Sequence, residues 1–89
     1  MISKTTEKFR ILFSCLPPII KIQARESYHQ FKLNPYHPSL QFKRIHSSKP
    51  IYSVRVNIDY RAVGVIKHDE IIWFWIGSHN VYEKIIKKL

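Results

Sequence analysis

The segment IIWFWIGSHNVYEKII, residues 71–86, decides how the chain is read. From Ile71 to Ile76 every residue is large and apolar, and a strand of that kind has no face suited to water, so it belongs inside a sheet that is covered on both sides. Gly77-Ser78-His79 ends the run. Val81, Ile85, Ile86 and Leu89 then return at helical spacing, with Lys84, Lys87 and Lys88 between them. Residues 80–89 are therefore predicted to form a short helix with Val81, Ile85, Ile86 and Leu89 as its buried stripe, its lysines suiting the negative end of the helix dipole. His79 and Tyr82 stand where the chain leaves its most apolar strand for that helix.

Working back toward the N-terminus, HDE at 68–70 is a turn, and YRAVGVI before it is a strand. In IYSVRVNI, residues 51–58, Tyr52, Val54, Val56 and Ile58 alternate with Ser53, Arg55 and Asn57, which predicts a strand buried on one face and open on the other. A turn at residues 57–59 joins these two strands into a hairpin, and Phe42 and Ile45 mark a further short strand. Before residue 40 the period changes from 2 to 3.6. Phe9, Leu12, Phe13 and Leu16 recur as i, i+3, i+4, i+7, giving a helix from about Thr6 to Cys15 capped by Thr5 or Thr6. Pro17-Pro18 stops it, and Pro18 opens a second helix, where its missing N–H costs nothing. Ile20, Ala24, Tyr28 and Phe31 line one side of that helix, which ends before Asn34-Pro35 because a residue preceding proline is pushed out of helical geometry. The expected class is α+β: an N-terminal helical hairpin packed on a small twisted antiparallel sheet, with a short C-terminal helix, in one domain over residues 1–89.

Fifteen Lys and Arg against six Asp and Glu leave a formal net charge of +9, so the expected partner is a polyanion or an acidic protein. A single cysteine, Cys15, forms no internal disulfide and is expected to be buried or half-buried. Ser14, Pro17 and Pro18 interrupt the apolar N-terminal stretch, so no leader peptide is expected. No run approaches the ~18 apolar residues of a membrane span. A cytoplasmic protein without a membrane partner is the expectation.

Two guanidiniums fall on neighbouring strands, at Arg55 and Arg61, and only Asp59 and Glu70 are plausible carboxylate partners for them. Either Arg55 pairs with one of these or reaches water, or the two forks serve phosphate oxygens, which they match bidentately. A histidine such as His79 can pass a proton, and Tyr82 can donate a hydrogen bond, stack on a base or share the proton work. Ser78 and His79 as mere helix-capping residues is the alternative. Together Arg55, Arg61, His79 and Tyr82 fit the cleavage of RNA by its own 2′-hydroxyl, a reaction that needs no metal or cofactor. Lys43, Arg44, Lys67 and Lys84 are the cations expected to meet RNA. The five histidines show no zinc-ligand spacing.

The order of these elements resembles the RelE/ParE superfamily of bacterial toxins from type II toxin–antitoxin pairs. LPPIIKIQARESYHQFKLNPYHPSLQFKRI is similar to that family's helical hairpin and following Asn-Pro and Ser-Leu loop, and YSVRVNIDYRAVGVIKHDEIIWFWIGSHNVY is similar to its sheet. The resemblance implies ribosome-dependent mRNA cleavage, blocked by a cognate acidic antitoxin, with Arg61, Arg55, His79 and Tyr82 at matching site positions. Ser53 departs from members that carry a lysine there. The N-terminal strand usual in the family has only Met1 to Lys4 to form from and is expected to be frayed or absent. ParE-like members poison DNA gyrase and carry the same arginines, so gyrase inhibition stands as an alternative, as does a non-catalytic basic binding module.

Overall fold

The computed structural model describes all residues from Met1 to Leu89. Strand β1 (Ile2–Thr5) precedes helices α1 (Glu7–Ser14) and α2 (Pro18–Leu33). A 3-10 turn over Pro38–Leu40 leads to the two-residue strand β2 (Lys43–Arg44), then β3 (Ile51–Arg55), β4 (Tyr60–Lys67), β5 (Glu70–Ser78) and helix α3 (His79–Ile86). The five strands form one sheet in the order β1-β5-β4-β3-β2. The protein is thus α+β, with a helical hairpin, a small sheet and a C-terminal helix. No helix is long and apolar enough to cross a membrane.

The sheet is mixed, because a strand does form at the N-terminus and pairs in parallel with β5, Ile2 beside Glu70 and Thr5 beside Trp73. The remaining pairings are antiparallel. Strand β1 survives its shortness because β5 offers it a complete edge, Trp73 Nε1 donates to Ser3 Oγ at 3.0 Å, and Thr6 N donates to the Trp73 carbonyl at 3.0 Å. Thr6 then caps α1, its hydroxyl accepting from Phe9 N at 3.1 Å. The hairpin forms as its prolines and periodicity require, with Pro18 in the first turn of α2. Cys15, expected to be covered, is exposed at the bend between the helices.

Two separate cores hold the sheet. On one face Leu16, Ala24, Phe31 and Leu40 from the helical side meet Val54, Ala62, Ile71, Trp73 and Ile76. On the other, Tyr82 of α3 meets Ile51, Val63 and Trp75, with Ile45, Phe74, Ile85, Ile86 and Leu89 packed around them. Trp73 and Trp75 would share a face in a regular strand. They do not, because the register slips at Val63/Gly64: Val63 pairs with Trp75 and Gly64 with Trp73, leaving Phe74 as the extra residue of a bulge. One apolar run thereby supplies an indole to each core. Gly64 permits this, since a Cβ there would lie 2.8 Å from Trp73 Cε3.

The second core overturns two expectations. The face of β3 read as open is roofed by α3, and Ser53 on it is only 1% exposed. The buried stripe of α3 is Tyr82, Ile85, Ile86 and Leu89, while Val81 faces solvent. Helix α3 runs from His79 to Ile86, and 82, 85 and 86 share one side of it by their i, i+3, i+4 spacing, with Leu89 following on that side.

Candidate active site

The connection between β3 and β4 organises the polar end of the sheet. Asn57 closes it: its Oδ1 accepts from Asp59 N at 2.8 Å and Tyr60 N at 2.9 Å, and its Nδ2 donates to Gln23 Oε1 of α2 at 2.6 Å. The outward carbonyls of this turn hold two other residues. Arg61 Nη1 donates to the carbonyls of Asn57 at 2.6 Å, Tyr60 at 2.9 Å and Ile58 at 3.5 Å. His79 N donates to the Asp59 carbonyl at 2.6 Å, and Ser78, the N-cap of α3, accepts from Val81 N at 3.4 Å. Thus one turn fixes both the guanidinium and the start of the helix that carries the imidazole. With Nη1 committed to carbonyls, the other donors of the Arg61 fork remain for a ligand.

Arg55 lies directly across the β3–β4 ladder from Arg61. Burial lowers the pKa of Arg61 and the Arg55 charge lowers it further, with Tyr82 and Asp59 partly offsetting both. Two like charges held side by side disfavour folding and favour an anion.

A hollow of about 400 Å³ opens beside these residues, lined by Arg61, His79, Tyr82 and Glu83 on one side and by Gln41, Lys43 and Arg44 on the other. Of the residues predicted from the sequence, Arg61, His79, Tyr82, Lys43 and Arg44 come together here, and Arg55 adjoins through Arg61. Arg44 is partly engaged, its Nε donating to the carbonyls of His46 at 3.0 Å and Lys49 at 3.2 Å. Lys67 does not belong to the hollow: it ends β4 opposite Glu70, six residues from Arg61, which is roughly 20 Å along a strand. Lys84 sits on the solvent side of α3 and does not line the hollow.

Tyr82 departs from its expected role. The phenol is 6% exposed, stands 5.7 Å from the His79 ring centre to centre, and its hydroxyl donates inward to Ser53 Oγ at 3.2 Å. It floors the hollow and pins α3 to β3. Glu83, missed in the sequence, is the one carboxylate of the lining, with Oε1 3.4 Å from His79 Nε2. Its spacing of four residues from His79 was the available signal. A second cavity of about 390 Å³ lies between the hairpin and the sheet among Phe9, Phe13, Tyr28, Phe31, Val56 and Trp73. Its walls are mainly apolar, and none of the histidines or carboxylates lines it.

The model of the ParE-like toxin domain matches residues 18–84, which is most of the chain. The protein therefore belongs to the ParE-like toxin domain family, within the RelE/ParE superfamily of toxins from toxin–antitoxin systems. Solved structures agree on the fold. A chain of the RelB-RelE antitoxin-toxin complex from Methanococcus jannaschii is similar at a TM-score of 0.74 and 14% identity, covering 92% of this chain and 96% of that one. YafQ from E. coli matches at 0.70 and 12% identity over 90% and 94% of the two chains. A YoeB/ParE toxin from Agrobacterium tumefaciens matches at 0.70 and 10% identity over 89% and 99%. No curated protein sequence matches the chain.

Proposed function

We propose that this toxin is an endoribonuclease that cleaves mRNA, on the ribosome as its resemblance to RelE members implies, by driving the 2′-hydroxyl onto the adjacent phosphorus. The observation that carries this reading is the convergence of His79 and Arg61 on one cationic hollow, both anchored to the same turn. Arg61, seconded by Arg55, takes the non-bridging phosphate oxygens and the charge that grows on them in the phosphorane. Lys43 and Arg44 hold the flanking phosphates. His79, with its side chain 42% exposed on the hollow, exchanges a proton with the reacting oxygens. Tyr82 contributes by holding α3 in place. The inhibitor is an acidic antitoxin laid over the same basic surface, a reading supported by the RelB-RelE complexes among the structural relatives.

His79→Ala and Arg61→Ala are each expected to abolish growth arrest and mRNA cleavage in cells while the purified proteins melt cooperatively. Full toxicity in both variants refutes the proposal. The ParE-like family match favours gyrase poisoning as a second reading. That activity would give double-strand DNA breaks and no cuts in ribosome-bound mRNA.

A further inference from the structure

The commitment of the Tyr82 hydroxyl to Ser53 leaves the hollow with one evident proton carrier, His79, for a reaction that needs two. Glu83 is the remaining candidate. Its neighbours are Lys43 and Arg44 from β2, Arg61 from β4 with Arg55 beyond it on β3, and His79 on its own helix. A carboxylate among these cations does not hold phosphate, because anion repels anion. As a surface partner for His79 one turn away, with the two side chains 51% and 42% exposed, it adds little to the helix.

We propose that Glu83 is the general base of the RNA cleavage, a role that rests on the nuclease reading above, and that His79 is the general acid. The Glu83 carboxylate removes the proton from the 2′-hydroxyl as O2′ bonds to phosphorus. The P–O5′ bond breaks, and the N–H of the His79 imidazolium delivers its proton to O5′. The products are a 2′,3′-cyclic phosphate and a 5′-hydroxyl end. Glu83 finishes protonated and His79 neutral, and exchange with water resets both. When the ring is protonated, the 3.4 Å contact between Oε1 and Nε2 joins an imidazolium to a carboxylate, the pair of protonation states from which the reaction starts. Both side chains sit at the edge of solvent, so a phosphodiester can part them and be flanked by acid and base.

The test compares an mRNA with its natural linkage and the same mRNA with a bridging 5′-sulfur at the cleaved position, each offered with and without ribosomes. A thiolate leaves without protonation, so loss of the acid is forgiven on the sulfur substrate and loss of the base is not. His79→Ala should lose about 10²–10⁴-fold in rate on the oxygen linkage and recover most of it on sulfur. Glu83→Gln should lose about 10²–10⁴-fold on both, with wild-type melting. Two outcomes overturn the assignment: wild-type rates for Glu83→Gln on the oxygen linkage, or rescue of Glu83→Gln by sulfur to the same extent as His79→Ala, which would make it a partner acting through His79. If the wild-type protein cuts neither RNA in either setting, the nuclease reading itself fails and takes the base with it.

Discussion

Replacing Tyr82 with phenylalanine deletes one oxygen and keeps the ring that packs beside Trp75. The deleted hydroxyl is the donor to Ser53 Oγ at 3.2 Å, and both residues are sealed, at 6% and 1% exposure. The variant leaves the serine hydroxyl with neither water nor this partner, a cost of about 1–3 kcal/mol. In a domain of this size each kcal/mol moves Tm by roughly 4–8 °C, so thermal and urea melts should show a fall of several degrees at least. Ser53→Ala orphans the phenol instead and should cost a similar amount. The double variant Tyr82→Phe/Ser53→Ala orphans nothing and should recover much of the loss, a coupling of about 1 kcal/mol or more in the double-mutant cycle. RNA cleavage, measured where all variants are folded, should persist in Tyr82→Phe. A Tyr82→Phe protein with unchanged Tm, or one that stops cutting RNA under conditions where it is fully folded, refutes the structural role given to this tyrosine.

Gly77→Ala places a Cβ 2.6 Å from Trp75 Cζ2 and 2.9 Å from Cη2, and the buried indole has little room to retreat, so urea denaturation should report a loss of about 1–3 kcal/mol. Arg55→Gln removes the like charge opposite Arg61 and should stabilise the fold by up to about 1 kcal/mol, a gain that shrinks as salt screens the pair. The same variant should bind single-stranded RNA less tightly, with a log affinity against log salt slope shallower by about 0.7; equal stability at low and high salt would contradict the charge argument. Thr6→Ala removes the cap that receives Phe9 N and should cost about 1 kcal/mol in thermal melts.

The helical hairpin was legible because its evidence is local: Pro17-Pro18 breaks one periodic run and opens another, and Asn34-Pro35 closes it. The β3–β4 turn was legible through Asn57 for the same reason. Strand β1 was not, since Ile2–Thr5 carries little strand signal of its own and exists through pairing with residues 70–73. Nor did alternation reveal the two-sided use of Trp73 and Trp75, because counting by twos assumes the regular register that the bulge at Phe74 breaks. Tyr82 rather than Val81 turns inward because 82, 85, 86 and 89 stand at i, i+3, i+4 and i+7, a full apolar face that takes in the tyrosine ring. At the candidate site, residue type and order pointed to Arg61 and His79. Lys67 has the right charge for the site but stands about 20 Å along the strand from Arg61, and Glu83, a carboxylate one turn from a histidine, reads as ordinary helix pairing until the surrounding cations are in view.

The side-by-side run of β1 with β5 ties Ile2–Thr5 to the last strand of the sheet in chain order. The segment around Ser3 has no strand partner until Trp73 is in place to donate to its hydroxyl. Contacts this distant along the chain form late, and α3 with its histidine follows later still. The parallel edge of the sheet and the site carried on α3 are thus completed last, by the part of the fold that joins residues farthest apart in sequence.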